Sequence, residues 1–157
     1  SHVKFFSTTP VEDIEAHNYA TVSTINPSTG EVIFSVPMQS FEFEKALMQE
    51  HFNENYLESD KYPNATFKGK VTNISDIDFS NDGTYDADIK GDLTIHGITK
   101  PVEEKGSFTV KAGKIQGKSV FNVLLEDYEI SVPGAVKQKI SESIEVTVDV
   151  MLEEVKP

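Results

Sequence analysis

Apolar and polar residues alternate with period two along most of the chain, the pattern of strands with one buried face. Ile144, Val146, Val148, Val150 and Leu152 alternate with Ser143, Glu145, Thr147, Asp149 and Met151. Similar alternation places Val32, Phe34, Val36 and Met38 on one face, then Ala65, Phe67, Gly69 and Val71. It continues through Ala87, Ile89, Gly91, Leu93 and Ile95, through Gly106, Phe108 and Val110, and through Ile115, Gly117, Ser119, Phe121 and Val123. Two weaker candidates lie at Val3–Ser7 and Tyr19–Ile25. About eight strands result, the number for a small closed barrel. The links between them are turn chemistry: Asn26–Gly30, Asn81–Gly83, His96–Pro101 and Ala112–Lys114. Links this short join antiparallel neighbours, since a parallel crossover needs about a dozen residues or more.

One stretch breaks the period. Phe41 to Leu57 contains neither glycine nor proline, and Met48, Phe52 and Tyr56 recur every four residues. This spacing predicts one amphipathic helix, about residues 42–57, inserted after the third strand and barred from continuing by Pro63. Elsewhere only a turn around Val11–Ala16 has helical character. The predicted fold is therefore all-β: an eight-stranded antiparallel, lipocalin-like barrel with one inserted helix, a single domain over residues 1–157. Ser1-His2 reads as a cloning remnant, with a secretion signal expected to have been removed ahead of it.

Composition narrows the partners. The 157 residues carry 14 Lys+Arg against 26 Asp+Glu, a net charge of −12, and every one of those cations is lysine. Without a basic patch or arginine, nucleic acid is excluded as a partner, and anionic lipid headgroups have nothing to attract them. No apolar run reaches the roughly 20 residues of a spanning helix, so no stable membrane insertion is expected. Cysteine is absent, which removes disulfides, thiolate metal sites and cysteine nucleophiles.

No catalytic constellation emerges, and neither enzyme activity, a metal nor a cofactor is expected. Gly117-Lys118-Ser119 imitates the end of a phosphate loop but lies within a strand and lacks the upstream glycine. The acidic run Glu12–His17 reads as a solvated loop or short helix, because its oxygen ligands lack a metal-binding spacing. His51 lacks a catalytic partner, and His96, in its turn, suits a bond to a backbone carbonyl.

The inward parity carries the candidate site. Phe34, Val36, Phe67, Ile89, Leu93, Phe108, Phe121, Val146 and Val148 face the interior, with Gly91 and Gly117 among inward glycines. Those glycines provide curvature, or leave space for one small ligand. Lys68, Lys70, Lys90, Lys105, Lys111 and Lys118 alternate outward, and the inward set is apolar apart from glycines and Ser119. Such a lining is either packed core or a greasy pocket, and both are written in the same residues. Met48 and Phe52 on the helix would gate the opening.

Two motifs carry a resemblance. His51–Phe67, with its Lys61-Tyr62-Pro63 and Phe67, resembles the centre of the YceI-like family. Gly91–Val102, which reads Gly-Asp-Leu-Thr-Ile-His-Gly-Ile-Thr-Lys-Pro-Val, is similar to that family's second signature. The resemblance covers roughly Val3 to Glu153. It implies a lipocalin-like barrel in a bacterial periplasmic or secreted protein that holds a long-chain lipid or isoprenoid. A filled-core barrel acting in envelope stress as an interaction protein is the alternative, and a dimer is compatible with either.

Overall fold

The computed structural model describes residues 1–155, so the last two positions of the expected 1–157 domain lie outside the described residues. Ten strands form one sheet in the order β3-β4-β6-β7-β8-β9-β10-β1-β2-β5. They are β1 (His2–Thr8), β2 (Asp13–Asn18), β3 (Val22–Ile25), β4 (Glu31–Pro37), β5 (Phe41–Phe43), β6 (Asn64–Val71), β7 (Gly83–Ile95), β8 (Ile98–Lys111), β9 (Lys114–Leu124) and β10 (Ser143–Glu154). The end of β10 also pairs in parallel with β3, Glu153 opposite Thr24 and Glu154 opposite Ile25. That contact closes seven strands, β3-β4-β6-β7-β8-β9-β10, into a barrel. The remaining three, β1, β2 and β5, continue from the edge of β10 as a flap.

Eight strands were expected, and the two additional ones are β2 and β5. The Asp13–Asn18 segment is a strand, not a loop or short helix: Ile14, Ala16 and Asn18 are buried while Asp13 and Glu15 are exposed. Its alternation is real but carried by small or polar residues, with the Asn18 side chain donating to the Pro37 carbonyl at 2.8 Å. Phe41–Phe43 leaves the predicted helix and pairs with β2, Phe43 opposite Ala16. The helix α1 therefore spans Ala46–His51 and runs on as a π-helical turn, Phe52–Tyr56, in which the Leu57 amide reaches the Phe52 carbonyl at 2.9 Å. A β-dominated far-UV spectrum with one short helix is its solution counterpart.

The link between β7 and β8 is tighter than its sequence suggested. It is a two-residue turn, His96-Gly97, with φ of 55° and 73°, the doubly positive φ that matches the twist of paired strands. Ile98 to Pro101 consequently belong to β8 and not to the turn. Pro101 is tolerated because β8 pairs with β9 only from Gly106 to Lys111, which leaves this edge without a demand for its missing N–H.

The interior is divided. At one end Ile25, Val32, Val71, Ala87, Phe108, Val110, Ile115 and Val150 are each no more than 3% exposed and form a packed core. Phe67 marks the boundary: its ring lies across Gly69 and Gly91, a directly paired glycine couple on β6 and β7. Beyond it the barrel is hollow.

Candidate functional site

The hollow end is a cavity of about 240 Å³ whose wall is almost wholly carbon. Phe34, Val36, Phe67, Ile89, Leu93, Phe121, Val146 and Val148 line it from five different strands of the barrel. All eight point inward yet are only half-buried, in contrast to the packed end. Residual exposure on inward side chains means that the barrel wall encloses space there instead of atoms. The volume lies near the lower end of ligand pockets, which span roughly 300–1,000 Å³. It suits a narrow chain more than a bulky ring system.

The flap and the helix roof this space. Phe5 of β1, Phe41 and Phe43 of β5, and Phe52 at the start of the π-turn form one aromatic cluster, with ring centroids 5.0–5.7 Å apart. Met48 and Tyr56 complete the roof above the cavity. Met48, Phe52 and Tyr56 thus present the four-residue stripe of the helix to the hollow. A thioether and aromatic rings that shift rotamers are adaptable contacts for a flexible guest.

Of the thirteen positions chosen from sequence, ten line the cavity: the eight barrel residues together with Met48 and Phe52. Phe108, Gly91 and Gly117 lie elsewhere. Phe108 packs edge-on against Phe79, centroids 5.9 Å apart, in the filled end. The space beside Gly91 is taken by Gly69 and by the Phe67 ring, and that beside Gly117 by Leu152 and Phe108. These glycines permit close approach of their neighbours, so the hollow does not arise from their missing side chains.

One cavity residue escaped the parity reading. Glu104 on β8 stands opposite Ile89 and lines the hollow with it. Extending the Gly106-Phe108-Val110 parity back by two residues would have found it, but Pro101 suggested a turn at that point. Burial against apolar neighbours pushes the Glu104 carboxyl above the usual carboxylate range. Burial likewise raises the Tyr56 phenol, which stays neutral. Glu104 is the one carboxyl group of the lining among the described residues, and no lysine or histidine joins it there.

The two sequence motifs meet beside the cavity mouth. His96 places Nε2 2.6 Å from the Glu58 carboxylate and Nδ1 3.0 Å from the Tyr128 carbonyl, so each ring nitrogen faces an oxygen acceptor. Tyr62 packs edge-on against the same imidazole at 5.0 Å. A Cβ on Gly97 would lie 2.5 Å from the Tyr62 ring, which explains glycine there. Leu57, Ile95, Leu125 and Ile130, each within two or three residues of this junction, line the cavity. His96 therefore ties the loop after the helix, the β7–β8 hairpin and the turn at Leu125–Tyr128 into one rim. His96→Ala should lower stability by about 1–3 kcal/mol in urea unfolding, since it strands the Tyr128 carbonyl and frees the Glu58 loop.

A barrel of antiparallel neighbours, closed by the short parallel β3–β10 contact and enclosing an apolar cavity roofed by a helix, is a lipocalin-like architecture. The YceI-like domain model matches residues 1–152, and the chain belongs to that family. A UPF0312 protein of Pseudomonas putida (strain W619) is 34% identical over 98 residues, which cover 59% of this chain and 47% of that protein. The chain thus spans about half the length of the curated relatives it matches. Among solved structures, Burkholderia cenocepacia BcnA superposes with a TM-score of 0.77 at 12% identity, covering 94% of this chain and 93% of that one. A polyisoprenoid binding domain from Saccharophagus degradans, implicated in plant cell wall breakdown, superposes with a TM-score of 0.72 at 13% identity, covering 96% and 91%. At these identities the likeness is one of fold.

Proposed function

We propose that this protein binds the hydrocarbon chain of a long-chain amphiphile inside its barrel and carries or sequesters it in the periplasm or outside the cell. The observation that supports this most is the incomplete burial of eight apolar side chains that all point inward. A packed core would have buried them. The description of the Saccharophagus degradans domain as polyisoprenoid binding favours the same ligand class, and the compartment rests on the family resemblance.

The energetics suit an apolar chain. Each buried CH₂ contributes ~0.8 kcal/mol. About a dozen therefore supply roughly 10 kcal/mol against an association cost of about 4–15 kcal/mol. An anionic head gains nothing from the lining, which offers no cation, and the net charge of −12 repels it from outside. A prenol should accordingly bind more tightly than the prenyl pyrophosphate of equal chain length in titration calorimetry. A preference for the pyrophosphate that weakens with salt would instead reveal a lysine cluster at the mouth. Failure of both to bind would favour an interaction protein that works through its outer surface.

A further inference from the structure

Two neighbouring strands separate beside Glu104. Pairing between β8 and β9 runs from Lys111 opposite Lys114 to Gly106 opposite Ser119, and stops. Beyond that point β8 stays on β7 as far as Ile98, and β9 stays on β10 as far as Leu124. The wall therefore parts along one line, and the cavity lining there includes Val102, Glu104, Ser119 and Phe121. Glu104 sits at this seam, half-buried, between apolar interior and solvent.

The polar atoms at the seam are acceptors. The Ser119 hydroxyl donates its proton to the Lys105 carbonyl at 2.7 Å, which leaves the oxygen lone pairs facing outward from that bond. No hydrogen bond or ion pair engages the Glu104 carboxylate among the described residues. Its sequence neighbours are occupied on the opposite face, Glu103 with Lys90 at 3.4 Å and Lys105 with Asp88 at 2.6 Å. An unneutralised carboxylate held against a carbon wall is costly, and a cation that arrives with its own apolar tail removes that cost. The upward displacement of the Glu104 carboxyl by burial expresses the same unmet demand.

We propose that Glu104 is a headgroup site for an ammonium ion, with the Ser119 oxygen as a second acceptor, and that long-chain amines are the preferred class of guest. This rests on the lipid-binding reading and adds a headgroup to it. The chain lies along the Phe34, Phe67 and Leu93 wall, and the head stays at the β8–β9 seam. Carboxylate and phosphate heads are rejected there by the same charge that attracts the amine.

Calorimetric titration of dodecylamine, dodecanol and dodecanoate into the intact protein at neutral pH tests this. The amine should bind about tenfold or more tightly than the alcohol, the yield of a charge-assisted hydrogen bond in a shielded site, with the carboxylate weakest. Glu104→Gln keeps the side-chain shape and should erase the advantage of the amine over the alcohol. Glu103→Gln removes the same charge from the outer face and should leave that advantage in place. Equal affinities for amine and alcohol in the parent protein would overturn the headgroup site alone. Equal loss in both variants would do the same, by assigning the preference to the general negative field. Failure of all three probes to bind would overturn the lipid-binding reading itself, and the headgroup site with it.

Discussion

Val148→Trp should lose roughly two orders of magnitude in affinity for a long-chain alcohol, while its folding stability stays within about 1 kcal/mol of the parent. Val148 lines the cavity from β10, and its cross-strand neighbours are small, Val3 on one side and Ser119 on the other. An indole entering from this position occupies space instead of colliding with atoms. Displacing about four methylenes of guest at ~0.8 kcal/mol each removes about 3 kcal/mol of binding. Overpacking a filled core would instead cost about 1–3 kcal/mol of stability. Calorimetric titration and urea unfolding on the same sample separate the two. Lost stability in a protein whose parent binds nothing would mean that the barrel is already full.

Gly91→Leu should do the reverse, and its damage falls on the fold. A Cβ at this position would meet the Gly69 Cα, and would lie 2.5 Å from the Lys68 carbonyl oxygen and 2.8 Å from the Phe67 ring. Two of those three are backbone and cannot swing away. Strands β6 and β7 would have to separate where the Gly69–Gly91 couple now brings them together. The expected loss exceeds about 3 kcal/mol, above the usual range for overpacking and a large part of a total of about 5–15 kcal/mol. A much lowered urea midpoint, or insoluble protein, is the result to look for. A variant of normal stability that merely failed to bind lipid would show that the position opens onto free space after all. From parity alone the inward glycines were compatible with strand curvature or with such space. In the structure it is the ring of Phe67 that uses it, as an aromatic side chain covers glycines in a strongly curved sheet.

How much of this was legible in the sequence follows from what alternation can and cannot encode. Long strands such as β7, β9 and β10 declare themselves because apolar residues and glycines hold one parity for five positions, broken only by Ser119. β2 does not, since its buried positions are Ile14, Ala16 and Asn18, only one of them a large apolar residue. β5 has three residues, too few for any period to register. Glu104 was hidden by a boundary: Pro101 suggested a turn, whereas the parted β8–β9 edge accommodates proline within the strand. The distinction between a packed core and a pocket lies beyond pattern altogether. Phe108 and Phe121 have the same parity and the same chemistry, yet one is 3% exposed in the filled end and the other lines the hollow. Which end is filled depends on strand tilt and on the placement of the flap, both products of long-range pairing.

The internal cavity itself is tested most directly by native mass spectrometry of the protein purified from a bacterial host, before and after delipidation and addition of a long-chain alcohol. One bound amphiphile per chain, removed by delipidation, restored by the alcohol and absent from Val148→Trp, is the expected result. A spectrum of ligand-free protein in every sample, with no uptake of added alcohol by the parent, would contradict a lipid site inside the barrel.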